Sequence, residues 1–350
     1  MPIEPNLTRR AALTGLASVG AAALPWPLGA AQAARTGLAR LRPGDKVGLV
    51  APAGFIADDA ELALVLDTVR AMQLEPVAAP NLTSRYGYLA GTDEERAAGV
   101  NAMFRRDDLA AVFAVRGGWG CARILPMLDY DAIRANPVIF TGFSDITAMH
   151  LAFAAMKAGY PTLHCPNASA SWPRASWDAF QRVAFEGEAP TFAPEPGTDD
   201  RLVQRSGRVE TYGEGRATGW LLGGNLTVLS ALVGTPYLPD FTGAILFLED
   251  VGEAPYRIDR MLTQLRLAGI LDRVAGVVFG QCTRCEDNGA SLSNFTLHQV
   301  LDQHLSGLGV PAFGGAQFGH VGEQIVLPVT SEAQIDAKDG TIRILAPVVS

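Results

Sequence analysis

Residues 137–160 read PVIFTGFSDITAMHLAFAAMKAGY, and this stretch decides the fold. Val138, Ile139 and Phe140 form a short apolar run of the kind found in strands buried on both faces of a parallel sheet. The Ala-rich apolar stretch that follows reads as a packed helix. Only Gly142-Phe143-Ser144-Asp145 separates the two, which leaves no room for a long loop. A serine on so sharp a strand-to-helix turn projects its hydroxyl, while N–H groups at the helix start can stabilise an oxyanion. The spacing departs from G-x-S-x-G, because Ile146 stands where the second glycine would fall. On these residues alone a plain helix N-cap at Ser144 or Asp145 is the competing reading, and the commoner one.

Upstream, residues 47–51 (VGLVA) make a short apolar run ended by Pro52-Ala53-Gly54, a first buried strand with a tight turn. Residues 60–72 have helical periodicity. A second helix over 93–104 is opened by Thr92 with Glu95 three positions on, a capping box. The next strand, 109–115, runs straight into Arg116-Gly117-Gly118-Trp119-Gly120, and a helix through Leu128 follows. Paired glycines let backbone N–H groups approach a ligand closely. No G-x-G-x-x-G fingerprint is present. Strands and helices alternating at this spacing define an α/β doubly wound parallel-sheet domain over 40–166, with functional groups at the strands' carboxyl ends.

Downstream, residues 167–208 carry Pro173, Pro190, Pro194 and Pro196 with Trp172 and Trp177, which predicts a linker with little regular structure. A smaller C-terminal α/β domain is expected over 209–350. Its elements are a strand at 217–222 ending in Gly223-Gly224-Asn225, a helix over 226–233, and a strand at 243–248 ending at Glu249-Asp250. An amphipathic helix over 256–268, a strand at 275–279 and a helix over 295–305 come next. Asp339-Gly340 marks a closing hairpin between 333–336 and 341–345.

Composition limits the possibilities. At 350 residues two domains are expected. Apolar residues make up 48% and charged residues 18%, enough for a substantial core. The net charge of −8 argues against a nucleic-acid surface. No stretch after residue 35 is apolar for long enough to span a membrane. Residues 1–33 read as a twin-arginine signal: Thr8-Arg9-Arg10-Ala11-Ala12-Leu13, a mildly apolar segment, then Ala31-Gln32-Ala33 as a small-residue cleavage site. Export to the periplasm is the expectation. Cys282-Thr-Arg-Cys285 is a C-x-x-C pair without a second pair or a flanking histidine, so a disulfide or buried thiols are expected before a metal site.

A nucleophilic serine needs a base, and the base an orienting carboxylate. Among the five histidines, His150, His298 and His304 fall on predicted helices and His164 at a strand end. His320 stands in a glycine-rich loop, where side chains are displayed for function, and is the best candidate, with His164 the alternative. Glu249 follows an apolar strand directly and is preferred over Asp250 and Glu253 in the same loop.

Several motifs recur in a family order: Arg116-Gly-Gly-Trp-Gly120, Thr141-Gly-Phe-Ser-Asp145, Leu221-Leu-Gly-Gly-Asn-Leu226, Phe247-Leu-Glu-Asp-Val-Gly-Glu253 with Tyr256-Arg-Ile-Asp-Arg260, and Phe318-Gly-His320 with Leu327-Pro328. From about residue 44 to the C-terminus the chain resembles the LD-carboxypeptidases, the S66 serine peptidases, which also include microcin C immunity peptidases. The resemblance implies Ser144 as nucleophile, His320 as general base and then acid, and Glu249 as the orienter of the imidazole. It implies an oxyanion hole from the Gly118 and Asp145 N–H groups, a flavodoxin-like or amidotransferase-like N-terminal domain, and a site at the domain junction. It further implies a homodimer as a common assembly and no metal or organic cofactor. The implied substrate is a muropeptide or peptidoglycan stem peptide, cut at the L,D bond before a terminal D-alanine. Arg116 and Arg257 are candidate clamps for its free carboxylate.

Overall fold

The computed structural model describes residues 37–194, 208–285 and 294–350. The predicted signal at residues 1–33 lies outside them. Two sheets organise the chain. The first holds β1 (Lys46–Val50), β2 (Glu75–Ala78), β3 (Ala111–Ala114), β4 (Ile139–Gly142) and β5 (Thr162–His164), all parallel in the order β2-β1-β3-β4-β5. That order is the flavodoxin-like doubly wound arrangement: the alternating pattern predicts the doubly wound parallel sheet, and the family resemblance implies the flavodoxin-like form. α1 (Asp59–Ala71), α2 (Asp93–Phe104), α3 (Cys121–Ile124), α4 (Tyr130–Ala135) and α5 (Thr147–Ala155) supply its crossovers. β1, β3 and β4 are almost wholly buried, which explains their unbroken apolar runs. The capping box at Thr92 and Glu95 opens α2 as the sequence predicts.

The segment expected to be an irregular linker is more ordered than that. It contains α6 (Arg174–Ala184) and the short β6 (Thr191–Phe192). Burial of Ser176, Ala179, Phe180 and Val183 along one face stabilises α6, and Trp172 and Trp177 pack edge-on and tilted against Phe180. Pro173 is the helix N-cap, and Pro190 and Pro194 lie beyond its end, so none interrupts it; the rest of the predicted linker, 195–207 with Pro196, lies outside the described residues.

The second sheet also has an order that the sequence did not reveal. It runs β6-β14-β13-β8-β9-β10-β11-β7, with β7 (Glu210–Gly213), β8 (Arg216–Asn225), β9 (Ala244–Val251), β10 (Gly276–Thr283), β11 (Ala312–Gly314), β13 (Glu332–Asp336) and β14 (Thr341–Ile344). α7 (Leu226–Ala231), α8 (Pro255–Leu267) and α9 (Leu297–Leu305) accompany it. Its central strands β8, β9, β10 and β11 are parallel, and β13 with β14 forms the predicted hairpin around Asp339-Gly340.

Two features join the sheets. β12 (Leu327–Val329), far along the chain, returns to the first sheet and pairs antiparallel with β5, Leu327 opposite His164. On the other side the Asn225 N–H donates to the Thr147 hydroxyl at 2.9 Å. Gly224 there has φ +133, and a Cβ on it would fall 2.3 Å from the Thr147 hydroxyl oxygen. Only glycine lets β8 approach α5 this closely.

Candidate active site

β4 delivers its chain to a turn that differs in detail from a capped helix start. Ser144 opens a 3-10 turn, Ser144–Ile146, that runs into α5, and its φ is +66, left-handed for a residue with a Cβ. Neither Ser144 nor Asp145 caps the helix: Phe143 stands at the N-cap of the 3-10 turn and Ile146 at that of α5, both without a side-chain bond. The Asp145 carboxylate instead accepts the Cys121 N–H at 2.8 Å and holds the start of α3. Burial raises the Asp145 pKa.

The Ser144 hydroxyl lies 3.0 Å from His320 Nε2, and His320 Nδ1 lies 2.7 Å from Glu249 Oε2. A carboxylate only accepts, so Nδ1 carries the proton toward Glu249 and Nε2 is left to accept from the serine hydroxyl. Glu249 is fully buried near the end of β9, and its second oxygen has no hydrogen-bond partner among the described residues. The three groups lie 176 and 71 residues apart in sequence and meet where the sheets adjoin.

Two glycines make room for this contact. A Cβ on Gly319, φ +99, would fall 2.6 Å from Glu249 Oε2, and one on Gly117 would fall 2.9 Å from the Ser144 Cβ. Gly118 has φ +114 and stands beside Gly54, whose N–H donates to the Gly117 carbonyl at 3.0 Å. Asp145 lies in the first turn of its helical segment, where N–H groups lack partners within the helix.

The rivals are used elsewhere. Asp250 accepts from Asn225 Nδ2, from the Thr227 N–H and hydroxyl, and from the Val251 N–H, all within 3.1 Å. Glu253 pairs with Arg257 at 3.4 Å. His164 does not reach the serine. It is fully buried, and both its ring nitrogens lack partners among the described residues. Burial, with His150 and His320 nearby, lowers its pKa to about 3, so it is neutral. Its ring meets Phe143, Phe247 and Phe318 edge-on, at centroid distances of 6.1, 5.3 and 6.2 Å. Those phenylalanines stand one residue before Ser144, two before Glu249 and two before His320.

Arg116 and Arg257 are both about half exposed. Arg116 pairs with Glu61 at 3.0 Å, and Arg257 holds Glu253 and the Tyr256 hydroxyl. Neither hydrogen-bonds Ser144, His320 or Glu249.

Sequence reasoning missed Arg96 and His150. Arg96 is fully buried and donates to the Pro52 carbonyl and, at 2.8 Å, to the Gly120 carbonyl, with Asp93 as its ion-pair partner. It fixes the loops on either side of Gly117-Gly118. A buried arginine on a capping-box helix leaves no mark in the periodicity. His150 ties the elbow itself: Nε2 donates to the Gly142 carbonyl at 2.8 Å while Nδ1 accepts from the Thr162 hydroxyl at 2.7 Å. No group of three or more His, Cys, Asp or Glu suited to a metal ion occurs among the described residues.

A serine, an imidazole and a buried carboxylate in hydrogen-bonded series are the arrangement that a serine-hydrolase relay requires. Residues 47–165 match the LD-carboxypeptidase N-terminal domain and residues 218–335 the LD-carboxypeptidase C-terminal domain. The chain belongs to the LD-carboxypeptidase family, the S66 peptidases. It is similar to the "Probable murein peptide carboxypeptidase" of Bacillus subtilis, 35% identical over 88% of this chain and 94% of the relative. It is 32% identical to the murein tetrapeptide carboxypeptidase of Pseudomonas aeruginosa over 83% of this chain and 93% of that one. Among solved structures, the microcin C7 self-immunity protein MccF superposes with a TM-score of 0.79 at 25% identity, covering 89% of this chain and 99% of MccF.

Proposed function

We propose that this protein is a serine LD-carboxypeptidase that removes the terminal D-alanine from peptidoglycan tetrapeptides. The observation that carries the reading is the Ser144–His320–Glu249 hydrogen-bond series at 3.0 and 2.7 Å. His320 Nε2 takes the hydroxyl proton as Ser144 Oγ attacks the carbonyl of the diamino acid. The resulting oxyanion is held by the Gly118 and Asp145 N–H groups. Collapse breaks the C–N bond, and His320 returns the proton to the departing D-alanine amine. Water, deprotonated by His320, then cleaves the acyl-enzyme to release the tripeptide. Glu249 accepts from His320 Nδ1 throughout and stabilises the imidazolium. Arg116 and Arg257 bind the substrate's free carboxylate.

The relatives named for murein peptides support this substrate class. Residues 1–33 act as a twin-arginine signal, so the mature enzyme works on wall peptides in the periplasm, as a homodimer. The test is incubation of the purified mature enzyme with tetrapeptide and mass spectrometry for free D-alanine. Release that disappears in Ser144→Ala supports the reading; no release from any tetrapeptide or pentapeptide refutes it. Cleavage of a peptidyl-nucleotide conjugate instead would favour an MccF-like substrate, a reading suggested by the structural likeness.

A further inference from the structure

His320 belongs to no strand or helix, yet a proton-transfer group must be held to about half an ångström. Its loop rests on the end of β10. The Gln281 N–H donates to the Phe318 carbonyl at 3.3 Å, and Gly280 lets Phe318 lie flush, since a Cβ there would fall 2.7 Å from the ring. The strand reaches His320 itself through Thr283, whose hydroxyl donates to the His320 backbone carbonyl at 2.6 Å. The Thr283 carbonyl in turn accepts the Gly252 N–H at 2.9 Å. One residue therefore ties the loop after Glu249-Asp250 to the loop that carries His320.

Thr283 sits at the end of a strand that has just lost its register, with an irregularity between Phe279 and Cys282. The next residue, Arg284, has φ +58, and a disulfide between Cys282 and Cys285 closes the turn. Cys285 is buried and Cys282 partly exposed, so a small thiol can reach the bond from one side. The other two cysteines, Cys121 and Cys165, are buried and unpaired.

We infer that Thr283 is a positioning residue for His320 and that the Cys282–Cys285 disulfide is the clasp that holds it, which makes the hydrolase sensitive to thiol reductants. The inference rests on the role given to His320 above. The redox step needs only a dithiol: its two thiols become a cyclic disulfide, and Cys282 and Cys285 each gain one electron and one proton. The freed turn no longer presents the Thr283 hydroxyl to the His320 carbonyl, and the imidazole spends less time in line with Ser144.

The experiment measures D-alanine release from tetrapeptide, with rates normalised to the active serines that a fluorophosphonate probe labels. Thr283→Val, nearly isosteric, is expected to lower kcat about three- to tenfold with KM unchanged, the loss of one hydrogen bond, while Thr283→Ser restores it to within about twofold. Dithiothreitol is expected to lower the wild-type kcat by a similar factor. The Cys282→Ser/Cys285→Ser double variant should start at that lower rate and ignore the reductant. A Thr283→Val enzyme with wild-type kcat, or a wild type whose two clasp thiols titrate after reduction without loss of rate, overturns the inference. Ser144→Ala separates this failure from a deeper one. If that variant still releases D-alanine, the function proposed above is wrong; if it is dead while Thr283→Val and the reduced wild type run at full rate, only the clasp is wrong.

Discussion

Glu249→Gln separates charge from geometry in the relay. Glu249 is buried, its Oε2 accepts from His320 Nδ1 at 2.7 Å, and its Oε1 has no partner among the described residues. A glutamine amide is therefore free to turn its carbonyl toward Nδ1 and leave its NH2 where Oε1 was. The imidazole keeps its proton on Nδ1 and still accepts from Ser144. What is lost is the ionic part of a charge-assisted hydrogen bond, about 1–1.5 kcal/mol, or roughly a 5- to 12-fold fall in kcat. In sites whose neighbours force the amide the other way, the corresponding change inverts the tautomer and costs about 10⁴-fold. Stability should not fall, because an amide costs less to bury than a carboxylate. Steady-state release of D-alanine, with active serines counted by a fluorophosphonate probe, checks the rate, and thermal melting checks the fold. A loss smaller than threefold would remove the charge from the mechanism. A loss as deep as that of Ser144→Ala would mean the amide donates to the histidine, and the argument from the free oxygen would be wrong.

Other expectations follow from the same geometry. Gly319→Ala should abolish activity more completely than it lowers stability, because its methyl would enter the space of Glu249 Oε2; equal kcat would refute this. Ser144→Gly should melt higher than Ser144→Ala, since it relieves a left-handed backbone that costs about 1–2 kcal/mol, partly offset by 0.5–1 kcal/mol of glycine entropy. Burial lowers His150 to about 4 and His164 to about 3 from an ordinary 6.5, so below pH 6.5 the unfolded chain binds protons that the folded one refuses. Stability is full above pH 6.5 and falls as pH drops toward 4. Asp145 and Asp250, raised by burial, act in the opposite sense just above 3.8. Melting temperature against pH checks this, and a flat profile from 6.5 to 4 would contradict it. Arg116→Gln or Arg257→Gln, if it removes a carboxylate clamp, should raise KM about tenfold with little change in melting, because exposed ion pairs contribute little to stability.

Strands β1, β3 and β4 were legible because they are buried on both faces and show as unbroken apolar runs, whereas β2, Glu75–Ala78, is partly exposed and left no such run. The capping box at Thr92 and the hairpin at Asp339-Gly340 were legible for local reasons too. The second sheet was not: its order depends on pairings between distant strands, β13 with β8 for example, that leave no local trace. The linker reading failed because prolines and tryptophans were counted without noticing the apolar stripe of Ser176, Ala179, Phe180 and Val183 between them. For the site, the strand ends and the glycine-rich loop made Ser144, Glu249 and His320 candidates among rivals, the family resemblance gave them their roles, and the structure brings the three into contact. The supports behind them, Arg96, His150 and the phenylalanines around His164, hold through burial and shape, and a single sequence encodes neither in a readable pattern.

The return of β12 to the first sheet has a consequence for biosynthesis. Ser144 emerges from the ribosome long before Leu327–Val329, which complete the sheet edge beside β5, and before His320. If His320 has the role proposed above, a chain that stops before it holds the Ser144 hydroxyl without a base. On the roles proposed above, activity waits for contacts that span 176 residues of sequence, and such long-range contacts close late in folding.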